Sequence, residues 1–130
     1  MHLIFCVDDR DGLSFCGRRL SRDREVTAHM LRLTADSSLL VHPYSASLFP
    51  EGSVVVDEEY LSKAGKDDFC FVEKGPVPES AESVTLYLWN RAYPSTERFP
   101  RELLDSMKLA FTEEFSGFSH EKITMERYIP

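Results

Sequence analysis

Short runs of apolar residues alternate with polar segments along the chain, and most runs have the length of a β-strand. Strands are predicted at residues 3–7, 13–17, 39–41, 54–56, 69–72, 84–89, 108–111 and 122–128. The first run is apolar at almost every position, which is typical of a strand covered on both faces. In the run 84–89, three aliphatic side chains alternate with Thr85, Tyr87 and Trp89, so the aliphatic side chains are expected on one face and the other three on the opposite face.

Two helices and one helical turn are predicted between these strands. The first helix begins after a capping residue, Ser21 or Asp23, and runs to about Leu33, with apolar residues at helical spacing on one face. A second helix of about two turns lies within residues 57–65, and a single turn lies within residues 99–106. This order predicts an α/β fold, or an α+β fold, in which one mixed sheet is flanked by a few helices. The length of 130 residues predicts one domain spanning the whole chain.

The charge and cysteine content restrict the functional classes. The chain has 15 basic and 22 acidic residues, a net charge of −7, which argues against a general nucleic-acid-binding protein. Its apolar runs fall well short of the roughly 20 residues that a membrane span needs, and its first residues lack the features of a signal peptide. Three cysteines at unrelated positions, Cys6, Cys16 and Cys70, favour a reducing compartment, so a cytoplasmic location is expected.

Sequence motifs for metal or nucleotide binding are missing. The four histidines, His2, His29, His42 and His120, are not at the spacing of metal ligands, so no metal site is predicted. His29 is expected to lie at the surface or to be structural, and His120 is expected to be solvated in a hairpin beside its acidic neighbour. Neither a phosphate-binding loop nor a nucleophile elbow is present. Cys6 lies in an apolar strand, where burial is expected to raise the pKa of its thiol.

Three polar clusters contain candidate binding residues. Aspartates and arginines alternate between the first strand and the first helix, where they could grip a carboxylate or phosphate or could simply neutralise one another in a solvated loop. A second cluster follows the strand that ends at Trp89, although a core tryptophan would explain it nearly as well. A third cluster follows the strand that ends near His42. The candidate ligand-binding residues are Asp8, Arg19, Arg22, His42, Tyr44, Trp89 and Arg91.

About two-thirds of the chain resembles dihydrofolate reductase. The segments that carry the resemblance are Gly12-Leu13, Gly17-Arg18-Arg19-Leu20, Leu33-Thr34, Leu86-Tyr87-Leu88, Arg98-Phe99-Pro100 and Met107-Lys108-Leu109. The resemblance implies a truncated dihydrofolate reductase-like fold. The chain is also similar to a family of short bacterial proteins that are sometimes labelled ribonuclease Z. That label requires a His-x-His-x-Asp-His metal-binding run, which the chain lacks.

The chain departs from the reductase pattern at each binding motif. The family has a Gly-Gly pair after its central strand, leading a helix onto the cofactor diphosphate, but residues 73–76 read Glu-Lys-Gly-Pro. The basic Gly-Arg-Lys-Thr segment is replaced by residues 42–45, His-Pro-Tyr-Ser, and Leu-Pro-Trp is replaced by residues 20–22, Leu-Ser-Arg. The carboxylate that binds the pterin falls on Val26, with Glu25 one position away. These departures argue against NADPH as a cofactor and against reductase activity, so no cofactor is predicted.

Two classes of function follow from these observations. The first is a non-catalytic binding module that recognises a small anion, a nucleotide fragment or a protein partner. The alternative is an enzyme with altered chemistry in the reductase-like cleft, in which Asp8 or Asp9 acts as general acid or base with His42 as its complement. A homo-oligomer is a third possibility, because the apolar segments 48–49 and 115–118 could form an interface.

Overall fold

A seven-stranded mixed sheet forms the centre of the protein. The structure is a computed structural model that describes residues 1–130. Its ten strands are β1 (His2–Val7), β2 (Gly12–Phe15), β3 (Arg18–Arg19), β4 (Leu39–Val41), β5 (Val55–Val56), β6 (Phe69–Phe71), β7 (Ser83–Leu88), β8 (Glu97–Arg98), β9 (Lys108–Phe115) and β10 (Ile123–Ile129). The main sheet has the order β5-β4-β6-β1-β7-β10-β9. The five strands β5, β4, β6, β1 and β7 are parallel to one another, and β10 runs antiparallel to both of its neighbours. The predicted mixed sheet is therefore confirmed.

A second, smaller sheet was not predicted. Strands β3, β2 and β8 form a three-stranded antiparallel sheet in that order. Because β3 and β8 are only two residues long, they produce no alternation that a sequence pattern could reveal. The pairing of β2 with β8 joins Gly12 to Arg98 and Ser14 to Glu97, so it depends on tertiary structure, whereas β2 and β3 are adjacent in the chain.

The first helix confirms the sequence prediction closely. Helix α1 spans Arg24–Leu33, and the Asp23 carboxylate caps it by accepting a hydrogen bond of 2.9 Å from the Glu25 N–H. Val26 and Met30 are buried on the face that packs against the main sheet. Val26, at the position where the reductase resemblance expects a carboxylate, is therefore a core residue.

The remaining helices are short. Helix α2 spans only Tyr60–Lys63, one turn instead of the predicted two. The Asp57 side chain accepts the Glu59 N–H at 2.7 Å and so folds the preceding residues into a turn that delays the helix. Two 3₁₀ helices complete the set, Pro43–Leu48, which was not predicted, and Arg101–Leu104, which lies within the predicted turn.

Apolar side chains cover both faces of the main sheet. On one face, Ile4 of β1 and Tyr87 of β7 pack in a cluster with α1. On the other face, Leu3 of β1 and Leu86 of β7 pack in a cluster with Tyr60 of α2. This confirms the burial of both faces predicted for β1 and the alternation predicted for β7. Neither α-helix has the length or the apolar surface that crossing a bilayer requires.

The segments considered for self-association differ in exposure. Phe49 is buried in the core, and Phe115 stacks on the His29 ring with 4.5 Å between ring centroids. Phe118 is 62% exposed, with the Arg24 guanidinium 3.5 Å from its ring centre. Of these aromatic residues only Phe118 presents a largely free surface, so the segments do not form a continuous apolar patch.

One buried hydroxyl in β7 gives a stability prediction. Thr85 is fully buried and its hydroxyl has no hydrogen-bond partner. Thr85→Val is expected to raise the free energy of unfolding by about 1 kcal/mol, because it removes an unsatisfied polar group with little change of shape. Thr34→Val is the matched control, since the Thr34 hydroxyl donates to the Met30 carbonyl at 3.0 Å and its loss should destabilise. Urea unfolding of both variants measures the difference; a Thr85→Val protein less stable than the parent would contradict the prediction.

Candidate functional site

A cavity of about 200 Å³ opens where the main sheet meets the small sheet. Cys6 near the end of β1, Phe71 at the end of β6 and Trp89 just after β7 line it. Leu13 of β2 and Arg98 of β8 line its opposite side. The cavity therefore lies at the carboxyl ends of neighbouring parallel strands, where ligands commonly bind in open α/β sheets. Burial raises the pKa of the Cys6 thiol well above its ordinary value, as predicted, so this thiol is protonated and unreactive.

An ion pair between Arg19 and Glu73 occupies one wall of the cavity. The guanidinium donates two hydrogen bonds to the carboxylate, 3.0 Å from Nε and 2.7 Å from Nη2, while the Ser45 hydroxyl donates to the same carboxylate at 2.7 Å. Arg19 also lies 4.5 Å from the centre of the Tyr44 ring. The hydrogen bonds from its guanidinium to Glu73 raise the pKa of Arg19. Each charge is thus neutralised within the protein.

The other two charged groups on the cavity wall are not equivalent. The Glu97 carboxylate accepts hydrogen bonds from the Ser14 hydroxyl, the Thr96 hydroxyl and, at 3.0 Å, the Gly17 N–H. These hydrogen bonds lower the pKa of Glu97. Arg98 makes no side-chain hydrogen bond or ion pair within the protein and is exposed. The only charged group on the wall without an internal partner is therefore a guanidinium.

A second polar group of residues, centred on Asp23, lies behind Trp89. The Asp23 side chain is fully buried and accepts the N–H groups of Phe118, Ser119 and His120 at 2.8, 2.9 and 3.1 Å, in addition to capping α1. The His120 Nδ1 atom lies 2.9 Å from the same carboxylate. Burial alone raises the pKa of Asp23, but the hydrogen bonds together lower it far below its ordinary value. Asp23 is therefore ionised, and because a carboxylate only accepts, Nδ1 carries a proton toward it.

The other ring nitrogen of His120 faces two hydroxyl groups. Its Nε2 atom is 3.1 Å from the Ser21 hydroxyl and 3.0 Å from the Tyr93 hydroxyl. The imidazole also stacks on Trp89, with 4.7 Å between ring centroids, and His120 is only 4% exposed. The prediction of a solvated His120 is wrong, because the loop after β9 folds back onto the start of α1 and encloses the ring. We call Asp23, His120, Ser21 and Tyr93 the Asp23 network.

The structure brings only part of the predicted site together. Arg19 and Trp89 line the cavity, and the Tyr44 hydroxyl accepts the Arg19 N–H at 3.1 Å from outside it. Asp8 is buried and holds the turn after β1, accepting the Arg10, Gly12 and Tyr93 N–H groups at 2.8, 2.7 and 2.9 Å. Burial raises its pKa, but these bonds outweigh that effect and lower it. Its carboxylate is thus committed to the fold.

The remaining predicted residues lie elsewhere. His42 caps the 3₁₀ helix by accepting the Tyr44 N–H at 3.0 Å, and it lines a separate cavity of about 620 Å³ beside α2. Arg22 and Arg91 are exposed, one near the start of α1 and the other after β7. Neither Asp8 nor Asp9, which the altered-enzyme hypothesis pairs with His42, lines the cavity that contains His42. No three histidine, cysteine, aspartate or glutamate side chains group closely enough to hold a metal ion.

Several residues of the site were missed by sequence reasoning. They are Ser21, Glu73, Tyr93, Arg98 and His120. Two of them carried a usable signal, because Glu73 stands where the reductase pattern has glycine, and Ser21 was recognised as a capping candidate for α1. His120 carried none, since its partner Asp23 is 97 positions away.

The comparison with known proteins concerns the fold. The sequence matches no protein-family model and no curated protein. Among solved structures, it is similar to dihydrofolate reductase from Enterococcus faecalis, complexed with NADP(H) and RAB-propyl, with a TM-score of 0.70 and 12% sequence identity. The alignment covers 98% of this chain and 94% of the reductase chain. The protein therefore has a dihydrofolate reductase-like fold.

Proposed function

We propose that the protein binds a small anion with an apolar body, a carboxylate or a phosphate monoester, in the cavity between its two sheets. The observation that carries this proposal is the unpaired guanidinium of Arg98. Both carboxylates on the wall, Glu73 and Glu97, already accept hydrogen bonds from the protein. The charged group left to bind a ligand is therefore the Arg98 guanidinium, a hydrogen-bond donor, and a positively charged donor favours an anion.

The rest of the wall limits the size and shape of the ligand. Leu13, Phe71, Val77 and Trp89 supply apolar surface. The volume of about 200 Å³ is below the range of roughly 300–1,000 Å³ that is typical of sites for drug-sized ligands. A single aromatic ring or a short aliphatic chain with one anionic group fits these dimensions.

A dinucleotide such as NADP(H), which the similar reductase structure contains, does not fit these residues. Where a diphosphate would need backbone N–H groups at a helix N-terminus, the chain has Glu73, whose carboxylate is an acceptor already bonded to Arg19 and offers a diphosphate no donor. Lys74 is directed elsewhere, since its Nζ donates to the Gly17 carbonyl at 2.6 Å. The segment 75–82 contains no helix. We therefore propose binding without this cofactor.

Thermal unfolding with a ligand panel tests the proposal. The panel contains benzoate, phenyl phosphate and butyrate, with benzamide as the uncharged match of benzoate and NADPH and dihydrofolate as reductase ligands. A bound ligand at 100 times its Kd adds about 2.7 kcal/mol, which raises the Tm of a domain of this size by several degrees. We expect a rise with at least one small anion and none with benzamide or NADPH.

Two variants show where the anion binds. Arg98→Ala is expected to abolish the rise in Tm, because it removes the unpaired guanidinium from the wall. Arg18→Ala is the matched control, since Arg18 is an exposed arginine of β3 that does not line the cavity, and it should keep the rise. An equal rise in both variants, or no rise with any anion in the parent protein, would overturn the proposal.

A further inference from the structure

Ser21, His120 and Asp23 form a connected line of hydrogen bonds that ends at the cavity. The Asp23 carboxylate is 2.9 Å from His120 Nδ1, and His120 Nε2 is 3.1 Å from the Ser21 hydroxyl. Ser21 itself lines the cavity and is half-buried, whereas the other two residues are buried. A hydroxyl beside an imidazole that is oriented by a carboxylate is the arrangement of an activated serine nucleophile, which is recognised by geometry and not by sequence order.

We propose that Ser21 is a nucleophile that hydrolyses small esters bound in this cavity. The inference rests on the proposed function, because the substrate must occupy the same cavity. When the imidazole is neutral, its proton is on Nδ1, beside the ionised Asp23, and its lone pair is on Nε2, facing Ser21. Asp23 acts as a positioning residue, since it holds the ring in this tautomer and orientation and touches no substrate.

The Ser21 hydroxyl is not required to complete the buried network. In the neutral ring Nε2 has a single lone pair, and the Tyr93 hydroxyl at 3.0 Å is already able to donate to it. Asp23, the only buried charge of the network, is satisfied by backbone N–H groups and the His120 ring. Ser21 and Tyr93 therefore compete for Nε2, and this competition distinguishes a reactive serine from a structural one.

The reaction balances with water as the second reactant. The Ser21 Oγ attacks the ester carbonyl carbon while His120 Nε2 takes its proton; the ester C–O bond then breaks and the leaving alcohol takes that proton. Water attacks the acyl-serine with the same transfers, releasing the carboxylic acid and restoring the serine. The backbone N–H group of Ser21, a residue that lines the cavity, donates to no other group of the protein. The cavity volume of about 200 Å³ limits the acyl group to a short chain or one ring.

Covalent labelling tests the inference with a readout that a structural role would not change. The full chain is incubated with a small alkyl fluorophosphonate, in which the serine oxygen displaces fluoride, and the adduct is located by peptide mass spectrometry. We expect one adduct per chain, on Ser21. Ser21→Ala should abolish it, and Ser47→Ala, an exposed serine outside the cavity, should label like the parent protein.

Two further variants test the role of His120. His120→Gln is expected to slow labelling by about 100-fold or more, the usual contribution of a general base. Tyr93→Phe is expected to label several-fold faster, because Ser21 then has no competitor for Nε2. This increase matters because a variant that merely disturbs the fold would slow labelling. Circular dichroism confirms that each variant is folded.

The outcomes separate this inference from the proposed function. The shift in Tm with benzoate is measured in the parent protein and in Ser21→Ala. Benzoate binding in both proteins without any Ser21 adduct would overturn the nucleophile and leave the binding site intact. An adduct on Ser21 without any anion binding would overturn the proposed function and support the reactive serine. Equal labelling of Tyr93→Phe and the parent protein would overturn the assigned competition for His120.

Discussion

Asp23→Ala is expected to lower the free energy of unfolding by about 3–5 kcal/mol, the range measured when one partner of a buried ion pair or hydrogen-bonded charge is removed. The Asp23 carboxylate joins the start of α1 to the loop 117–120 that precedes β10. Without it, four backbone N–H groups and the His120 ring lose their common acceptor. A buried donor without a partner costs more than its hydrogen bond contributed.

Urea or thermal unfolding of the variant measures this loss. The matched control is Asp57→Ala, which removes another aspartate that caps a turn, accepting the Glu59 N–H at 2.7 Å, but one whose carboxylate is partly exposed. Asp57→Ala should lower the free energy of unfolding much less than Asp23→Ala does, because water can replace the missing acceptor. Similar stabilities of the two variants would show that the buried contacts of Asp23 contribute little beyond helix capping.

The acid side of the stability profile should report the same carboxylate. Because the folded pKa of Asp23 lies below its ordinary value of 3.8, Asp23 contributes its full stability above about pH 4. Below that pH, Asp23 becomes protonated in the unfolded chain while it stays ionised in the folded protein. The stability that Asp23 contributes is therefore lost as the pH falls toward its folded pKa. Asp23→Asn, which cannot titrate, should be less stable at pH 7 and should depend less steeply on pH between about pH 4 and pH 2. Parallel profiles for the two proteins would contradict this assignment.

Gly117→Ala is expected to destabilise the protein by about 1–3 kcal/mol, the usual cost of forcing an additional methyl group into a packed site. A Cβ atom at Gly117 would lie 2.7 Å from Asp23 Oδ2 and 2.7 Å from the His120 carbonyl oxygen. Neither atom can move freely, since one belongs to a buried carboxylate and the other to the backbone. The substitution should therefore displace His120 from Asp23 and also slow the labelling of Ser21.

Gly65→Ala is the matched control for this substitution. Its Cβ would approach only the Asp68 carboxylate, at 3.4 Å, which is close to ordinary van der Waals contact, and its backbone is not in the left-handed region. We expect Gly65→Ala to change the free energy of unfolding by no more than about 0.5 kcal/mol. Thermal unfolding of both variants, with the fluorophosphonate labelling rate of Gly117→Ala, checks the prediction. Unchanged stability and labelling of Gly117→Ala would show that the loop 117–120 accommodates the added methyl group without strain, and would contradict the prediction.

The apolar pattern was sufficient to predict the main sheet and its first helix. Strands β1 and β7 are buried on both faces. Because such strands need apolar side chains on both sides, they stand out in the sequence as nearly continuous apolar runs. Asp23 was predicted as a cap because an N-cap contacts residues only two or three positions away. The resemblance to dihydrofolate reductase correctly implied the fold, since that order of elements is visible along the chain. These features all depend on short spacings.

The residues of the candidate site depended on contacts that spacing does not reveal. The sequence places Ser21 and Asp23 beside α1 and His120 in a loop near the other end of the chain, and only the folded sheet brings them together. For the same reason, the neutralisation of Arg19 by Glu73 could not be foreseen, and Asp8 looked like a ligand-binding carboxylate although it holds a turn. The sequence by itself determined the strands of the main sheet, the first helix and the fold class, because local periodicity decides which side chains are buried. The tertiary structure decided which polar groups remain free for chemistry, because hydrogen-bond satisfaction depends on partners distant in the chain.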